Sequence, residues 1–170
     1  NQPKVIFSGL GAYHQYAPSV INHLVSRQEF LTSYTPYQPE ISQGTLTYIF
    51  EYQSMITALT KMEVSNASMY DGATATAEAM FMSEAITRRN KILVSETINP
   101  NTLEVIKTYA KYRGITVEII PHHNGVIRLE DLKNSLNDHV SGLIVQRPNY
   151  FGIIENYDGF SQALHQNGSI

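Results

Sequence analysis

A chain of 170 residues that is 42% hydrophobic and 16% charged has the make-up of an ordinary globular protein of about one domain, able to bury a sizeable core. A formal charge of −3 gives no electrostatic case for nucleic acid or an anionic membrane, and zero cysteines exclude disulfides, thiolate catalysis and cysteine-ligated zinc or iron–sulfur clusters. No basic segment followed by an apolar one opens the chain, and no apolar stretch has transmembrane length, so the expected compartment is the cytoplasm.

Two unlike parts are expected. Residues 1–62 form a tyrosine- and proline-rich helical arm, carrying Tyr13, Tyr16, Tyr34, Tyr37, Tyr48 and Tyr52 of the chain's 11 tyrosines. Val5-Ile6-Phe7 reads as a short strand or extended arm. Pro18 to Ser26 reads as a short helix with proline in its first turn, where the missing N–H costs nothing. Thr35-Pro36-Tyr37-Gln38-Pro39 reads as a structured loop, because each proline fixes its own φ and keeps its predecessor extended. A long helix is expected from Ser42 to Met62, with Ser42 as N-cap and Leu46, Ile49, Phe50, Gln53, Ile56 and Leu59 on one face.

Residues 63–170 carry a regular alternation. A short extended segment at Val64–Asn66 precedes a helix at Thr74–Arg89. A strand at Ile92–Val94 leads to a helix at Asn101–Arg113, started by Asn99-Pro100 and stopped by Gly114. A β-branched strand at Ile115–Ile120, a helix at Leu129–Leu136, a strand at Gly142–Val145 and a helix at Tyr157–Gln166 complete the pattern. Strands alternating with helices of this length are βαβ units, so the fold class is α/β, a mainly parallel sheet with helices on both faces. After the Asn167-Gly168 stop, Ser169-Ile170 look like the opening of a further strand, and the expectation is that the chain is part of a longer polypeptide.

Four places could carry chemistry. Ser8-Gly9-Leu10-Gly11-Ala12 lacks the third glycine of a dinucleotide fingerprint, which would fall at His14, and reads as a plain loop. Ser68, Tyr70, Asp71 and Gly72 lie in a turn that leads through small residues to a helix N-terminus, a natural anion site. Against that, a carboxylate at Asp71 would satisfy the free N–H groups itself and repel a second anion. The prolines of Tyr34-Thr35-Pro36-Tyr37-Gln38-Pro39 hold two phenols in a rigid loop, for a ligand or partner or simply for packing. Asn149 and Tyr150 follow the third strand, at the carboxyl end of the sheet where open α/β folds bind ligands. His122 and His123 are adjacent after a strand, so their side chains diverge, and no metal-ligand spacing exists anywhere.

Three runs, Tyr34-Thr-Pro-Tyr-Gln-Pro-Glu-Ile-Ser-Gln-Gly44, Phe50-Glu-Tyr-Gln53 and Asn66-Ala-Ser-Met-Tyr-Asp-Gly-Ala-Thr-Ala75, strongly resemble the glycine cleavage system P-protein family, and more narrowly its subunit 1 branch. The resemblance covers essentially the whole chain. It implies part of the large domain of the aspartate-aminotransferase-like fold (PLP fold type I). It also implies a role in pyridoxal-phosphate-dependent glycine decarboxylation, in which the remaining aminomethyl group passes to the lipoylated H-protein. Glycine would be the substrate and subunit 2 the partner, in a heterotetramer, with the cofactor lysine on subunit 2. Tyr70-Asp71-Gly72-Ala73-Thr74 would stand where the fold cups the cofactor phosphate. Lysines 4, 61, 91, 107, 111 and 133 all read as terminal, helix-surface or strand-edge residues, so no cofactor is expected on this chain alone. Tyr34 and Tyr37 become the first choice for side chains that reach the partner's active site, with Tyr70, Asn149 and Tyr150 next. The alternative is a stand-alone, non-catalytic α/β module for a small ligand, which would need a complete sheet and an intact phosphate loop.

Overall fold

The computed structural model describes residues 8, 9 and 14–170. The strand expected at Val5–Phe7, and Tyr13 with most of the glycine-bearing loop, lie outside the described residues. Two compact units divide the chain, Asn1–Ser68 and Met69–Ile170.

In the first unit the helix expected at Pro18 is shorter, α1 (Val20–Val25), with α2 (Gln28–Leu31) directly after it. Pro39–Ile41 turn as a 3-10 helix before α3 (Gln43–Thr60). Ser42 holds the N-cap position but its hydroxyl makes no capping bond; the Gln43 amide instead donates to the Glu40 carbonyl at 3.3 Å. Leu46, Ile49, Gln53 and Ile56 are half-buried on one face as their spacing requires, whereas Phe50 and Leu59 are exposed. Gln53 donates to the Ser65 carbonyl at 2.6 Å, which ties the extended segment to the helix without making it a strand. Among the described residues up to Ser68, none is fully buried.

The second unit is an α/β layer structure. Helix α4 (Gly72–Thr87) leads to β1 (Lys91–Ser95), α5 (Pro100–Arg113) and β2 (Thr116–Ile120). The chain then forms β3 (His122–His123), β4 (Val126–Ile127), α6 (Leu129–Ser135), β5 (Val140–Ile144) and α7 (Phe160–Gln166). Asn99 caps α5 by accepting from the Asn101 N–H. The main sheet runs β2-β1-β5 and is wholly parallel. Side chains on β1 alternate between its faces. Ile92 and Val94 join Met80, Ile106, Ala110 and Ile115 under α4 and α5. Leu93 joins Ile120, Leu132, Val140, Phe160 and Leu164 under α6 and α7. The central strand is therefore buried on both sides, which is why it reads as an unbroken apolar run.

The β3–β4 hairpin was not expected. Its turn is Asn124-Gly125 with φ of 54° and 85°, the left-handed pair that a tight hairpin requires. Beyond α7, Ile170 donates to the Ser141 carbonyl and accepts from the Leu143 N–H, each at 2.9 Å, so it continues the ladder beside β5. Among the described residues no helix is long and apolar enough to cross a membrane.

Candidate functional site

In the first unit, Tyr34 and Tyr37 are 80% and 78% exposed, with ring centroids 6.2 Å apart. The Tyr37 N–H donates to the Thr35 carbonyl at 2.8 Å, closing the loop that the prolines brace. The two phenols line a groove of about 590 Å³ with Glu29, Ser33, Gln38 and Ser42. Arg27 bonds Glu29 at 2.8 Å and holds its carboxyl down to about 2, so the groove's acid is already paired. Both phenols stand out from the loop, and none of the described residues of this unit forms a buried core around them.

The turn into α4 is closed by its own side chain. Asp71 Oδ1 accepts from the Thr74 N–H at 2.8 Å and from the Thr74 hydroxyl at 3.0 Å. The backbone bond of Thr74, then its hydroxyl, hold the Asp71 carboxyl below its ordinary value. Gly72 has open space around it, Tyr70 is fully exposed, and Ser68 has a left-handed φ of 64°.

A pyridoxal phosphate needs an anion cup and a lysine free to bond its aldehyde. The residues present do not fit it. Asp71 supplies the negative charge that a phosphate would bring. Lys91 is paired with Glu118, Lys107 with Glu104, and Lys111 lies over the Tyr112 ring. Lys61 ends α3 on the surface and Lys133 sits on α6; Lys4 lies outside the described residues.

At the carboxyl edge of the sheet the two residues chosen from sequence behave differently. Tyr150 is 37% exposed and packs edge-on to Phe151, which in turn meets His122. Asn149 is buried, and its amide is fully used within the fold. Nδ2 donates to the Gly125 carbonyl and to Glu155 Oε1, both at 2.7 Å, and Oδ1 accepts from the Phe151 and Ile153 N–H groups. Asn149 thus shapes the loop and has no polar atom left for a ligand, a correction to its place beside Tyr150 as a substrate contact. Nothing local to Asn149 points to its partners. Buried Glu155 and Thr97, with half-buried Tyr157, form a polar cluster around it, and an isolated glutamate after Gly-Ile-Ile has no motif to announce it.

The histidines diverge as adjacent strand residues must. His123 pairs with Asp131 at 2.9 Å, while His122 Nδ1 accepts from the Gly125 N–H at 3.2 Å. Among the described residues no group of three metal-ligating side chains converges.

Comparison with known proteins places this geometry in a family. The profile of the glycine cleavage system P-protein matches residues 1–170. The chain is 49% identical over 166 residues to a probable glycine dehydrogenase (decarboxylating) subunit 1 of Desulforamulus reducens, and 50% identical over 164 residues to that of Geobacillus sp.. A Listeria monocytogenes serotype 4a relative of the same description is 48% identical. These alignments take in 98%, 96% and 96% of this chain but only 37% of each relative, so the chain spans little more than a third of their length. A crystal structure of glycine decarboxylase (P-protein) of the glycine cleavage system, in inhibitor-bound form, superimposes with a TM-score of 0.85 at 40% identity, over 95% of this chain and 36% of that one. With the family profile spanning residues 1–170 and relatives near 50% identity covering nearly all of them, the chain belongs to the glycine cleavage system P-protein family.

Proposed function

We propose that this chain is part of the subunit of glycine decarboxylase that does not carry the cofactor, and that it acts only in assembly with subunit 2. The assembled enzyme, in the cytoplasm, would decarboxylate glycine and pass the aminomethyl group to lipoylated H-protein. Family membership supports the reaction class, and the poor fit of Asp71 and the paired lysines to pyridoxal phosphate supports the division of labour. The Schiff-base lysine then belongs to the partner.

The observation that carries a catalytic contribution is the exposure of Tyr34 and Tyr37 on a braced loop beside a groove already neutralised by Arg27. Phenols held in that way can orient a substrate and exclude water from a neighbouring site at little entropic cost. Tyr150 is the second candidate, as an exposed ring at the ligand-binding end of the sheet. The test is Tyr34→Phe and Tyr37→Phe in the full-length subunit reconstituted with subunit 2, assayed by glycine–bicarbonate exchange. A loss of roughly 10- to 100-fold in kcat/KM with assembly intact is the expected result. Unchanged exchange would remove both tyrosines and leave the chain a supporting role.

A further inference from the structure

The buried acid at the carboxyl edge of the sheet has no use in the reading above, and its surroundings are unusual. Glu155 is 3% exposed, and among the described residues no lysine, arginine or histidine pairs with it. Its carboxylate is satisfied by donors alone. Oε1 accepts from the Thr97 hydroxyl and from Asn149 Nδ2, each at 2.7 Å, and Oε2 accepts from the Ile127 N–H at 2.8 Å.

Those donors come from three separate pieces of chain. Thr97 lies in the loop after β1, Ile127 in the hairpin that follows β2, and Asn149 in the loop after β5. Each piece is then fastened to the next. The Tyr150 N–H donates to the Thr97 carbonyl at 2.7 Å, and Asn149 Nδ2 reaches the Gly125 carbonyl in the hairpin turn. An ionised Glu155 also sets the proton order. Because the Thr97 hydroxyl hydrogen goes to Glu155, the Ser95 hydroxyl must donate in the 2.7 Å contact with Thr97, and Ser95 Oγ accepts the Thr97 N–H in return. An ionised Glu155 accepts from all three donors at once, whereas a protonated one would have to reverse the Thr97 hydroxyl or turn its hydrogen to the Tyr157 hydroxyl, breaking the arrangement as it stands.

We propose that Glu155 is the positioning residue of this edge. Its ionised carboxylate holds the two loops and the hairpin in one arrangement, and so fixes where Tyr150 and Phe151 stand against His122. The rings meet edge-to-face at 5.7 and 5.2 Å, with Tyr150 and Phe151 on the loop after β5 and His122 on the β3–β4 hairpin. Apolar packing alone does not explain the registry, since Phe151 is 52% exposed. The other titratable and charged groups nearby are Tyr157, whose hydroxyl bonds into the same cluster, Arg147, which acts on Tyr157, and Glu96, whose Oε2 accepts from the His122 N–H at 2.9 Å. The inference concerns this chain by itself, so its failure would leave the assembly proposal untouched.

The test is residue-resolved hydrogen exchange and aromatic NMR on the 170-residue chain, comparing wild type with Glu155→Gln and Glu155→Asp. A glutamine amide offers a single acceptor oxygen and brings donors of its own toward the Ile127 N–H or Thr97. Exchange at Ile127 should therefore quicken by about tenfold or more in Glu155→Gln, while Leu93 and Val94 on β1 keep their protection. The Tyr150 and Phe151 ring signals should shift in the same variant, and Glu155→Asp should recover part of both effects. In wild type, lowering the pH from neutral to well below 4.5 should release Ile127 before β1, after correction for intrinsic exchange, and Glu155→Gln should lack that step. Ile127 protection unchanged in Glu155→Gln would overturn the proposal. So would loss of Ile127 and β1 protection together in acidified wild type, a measurement that decides the matter even where the glutamine variant does not fold.

Discussion

The carbonyl oxygen of Ile170 lies 2.5 Å from the position a Cβ would take on Gly142. No side chain fits there without displacing backbone. The hydrogen at that position is what lets Ile170 run close enough to bond both Ser141 and Leu143. Gly142→Ala should detach Ile170 from β5 and destabilise the unit by about 1–3 kcal/mol, as overpacking against backbone generally does. Urea unfolding of the pair of proteins measures it, and an unchanged midpoint would show that Ile170 is not docked in solution.

A second expectation follows from the closed turn at Asp71 and the paired lysines. Pyridoxal phosphate added to the chain, then borohydride, should leave no stoichiometric adduct on one lysine by peptide mass spectrometry. An adduct concentrated on Lys91 would mean that its pairing with Glu118 is weaker than the geometry indicates.

Acid should weaken the second unit through two carboxylates. Burial pushes Glu118 up, but hydrogen bonds from Lys91 and Ser135 and the Lys91 charge outweigh it. Burial likewise pushes Glu155 up, and the donors Asn149, Ile127 and Thr97 outweigh that. Both end below the ordinary value of 4.5. A depressed folded-state pKa contributes stability that is fully present above the unfolded value and is lost as pH falls through the folded one. Denaturant midpoints should therefore be flat above about pH 5 and drop below it. Lys91→Met should lower the neutral-pH midpoint and shrink the Glu118 share of the acid loss, and a drop of equal size in both proteins would count against this pairing.

The hairpin turn offers a backbone test. Gly125 has a φ of 85°, and a Cβ there would lie 2.9 Å from the Ile153 side chain. Gly125→Ala should cost about 1–2 kcal/mol from the left-handed conformation alone. The loss should appear as faster exchange at Val126 and Ile127, with the β1 core unaffected.

The regular part of the fold was legible because its signals are local. Apolar runs marked β1, β2 and β5; Asn99-Pro100 and Gly114 bracketed α5; and each of the expected helices and strands of this part lies within three residues of its expected place. The β3–β4 hairpin was missed although Asn124-Gly125 is its usual mark, because two-residue strands leave no alternation to detect. Asp71 was legible as a cap, since an aspartate before a small-residue helix closes its own turn. Asn149 was placed at the right edge but in the wrong role. What decides its role is Glu155 and Gly125, six residues later and 24 earlier, and no local pattern encodes that meeting.

The absence of a fully buried residue among those described up to Ser68 has a thermodynamic consequence. Heat absorbed on unfolding scales with the residues that leave a packed interior, at about 0.7 kcal/mol per residue near 60 °C. Calorimetry of this chain should therefore show one cooperative transition of about 70 kcal/mol, the size expected for Met69–Ile170, rather than the roughly 120 kcal/mol of the whole. The missing enthalpy should appear only when the tyrosine-bearing helices gain a surface to bury, so its recovery on adding a binding partner would measure assembly in calories.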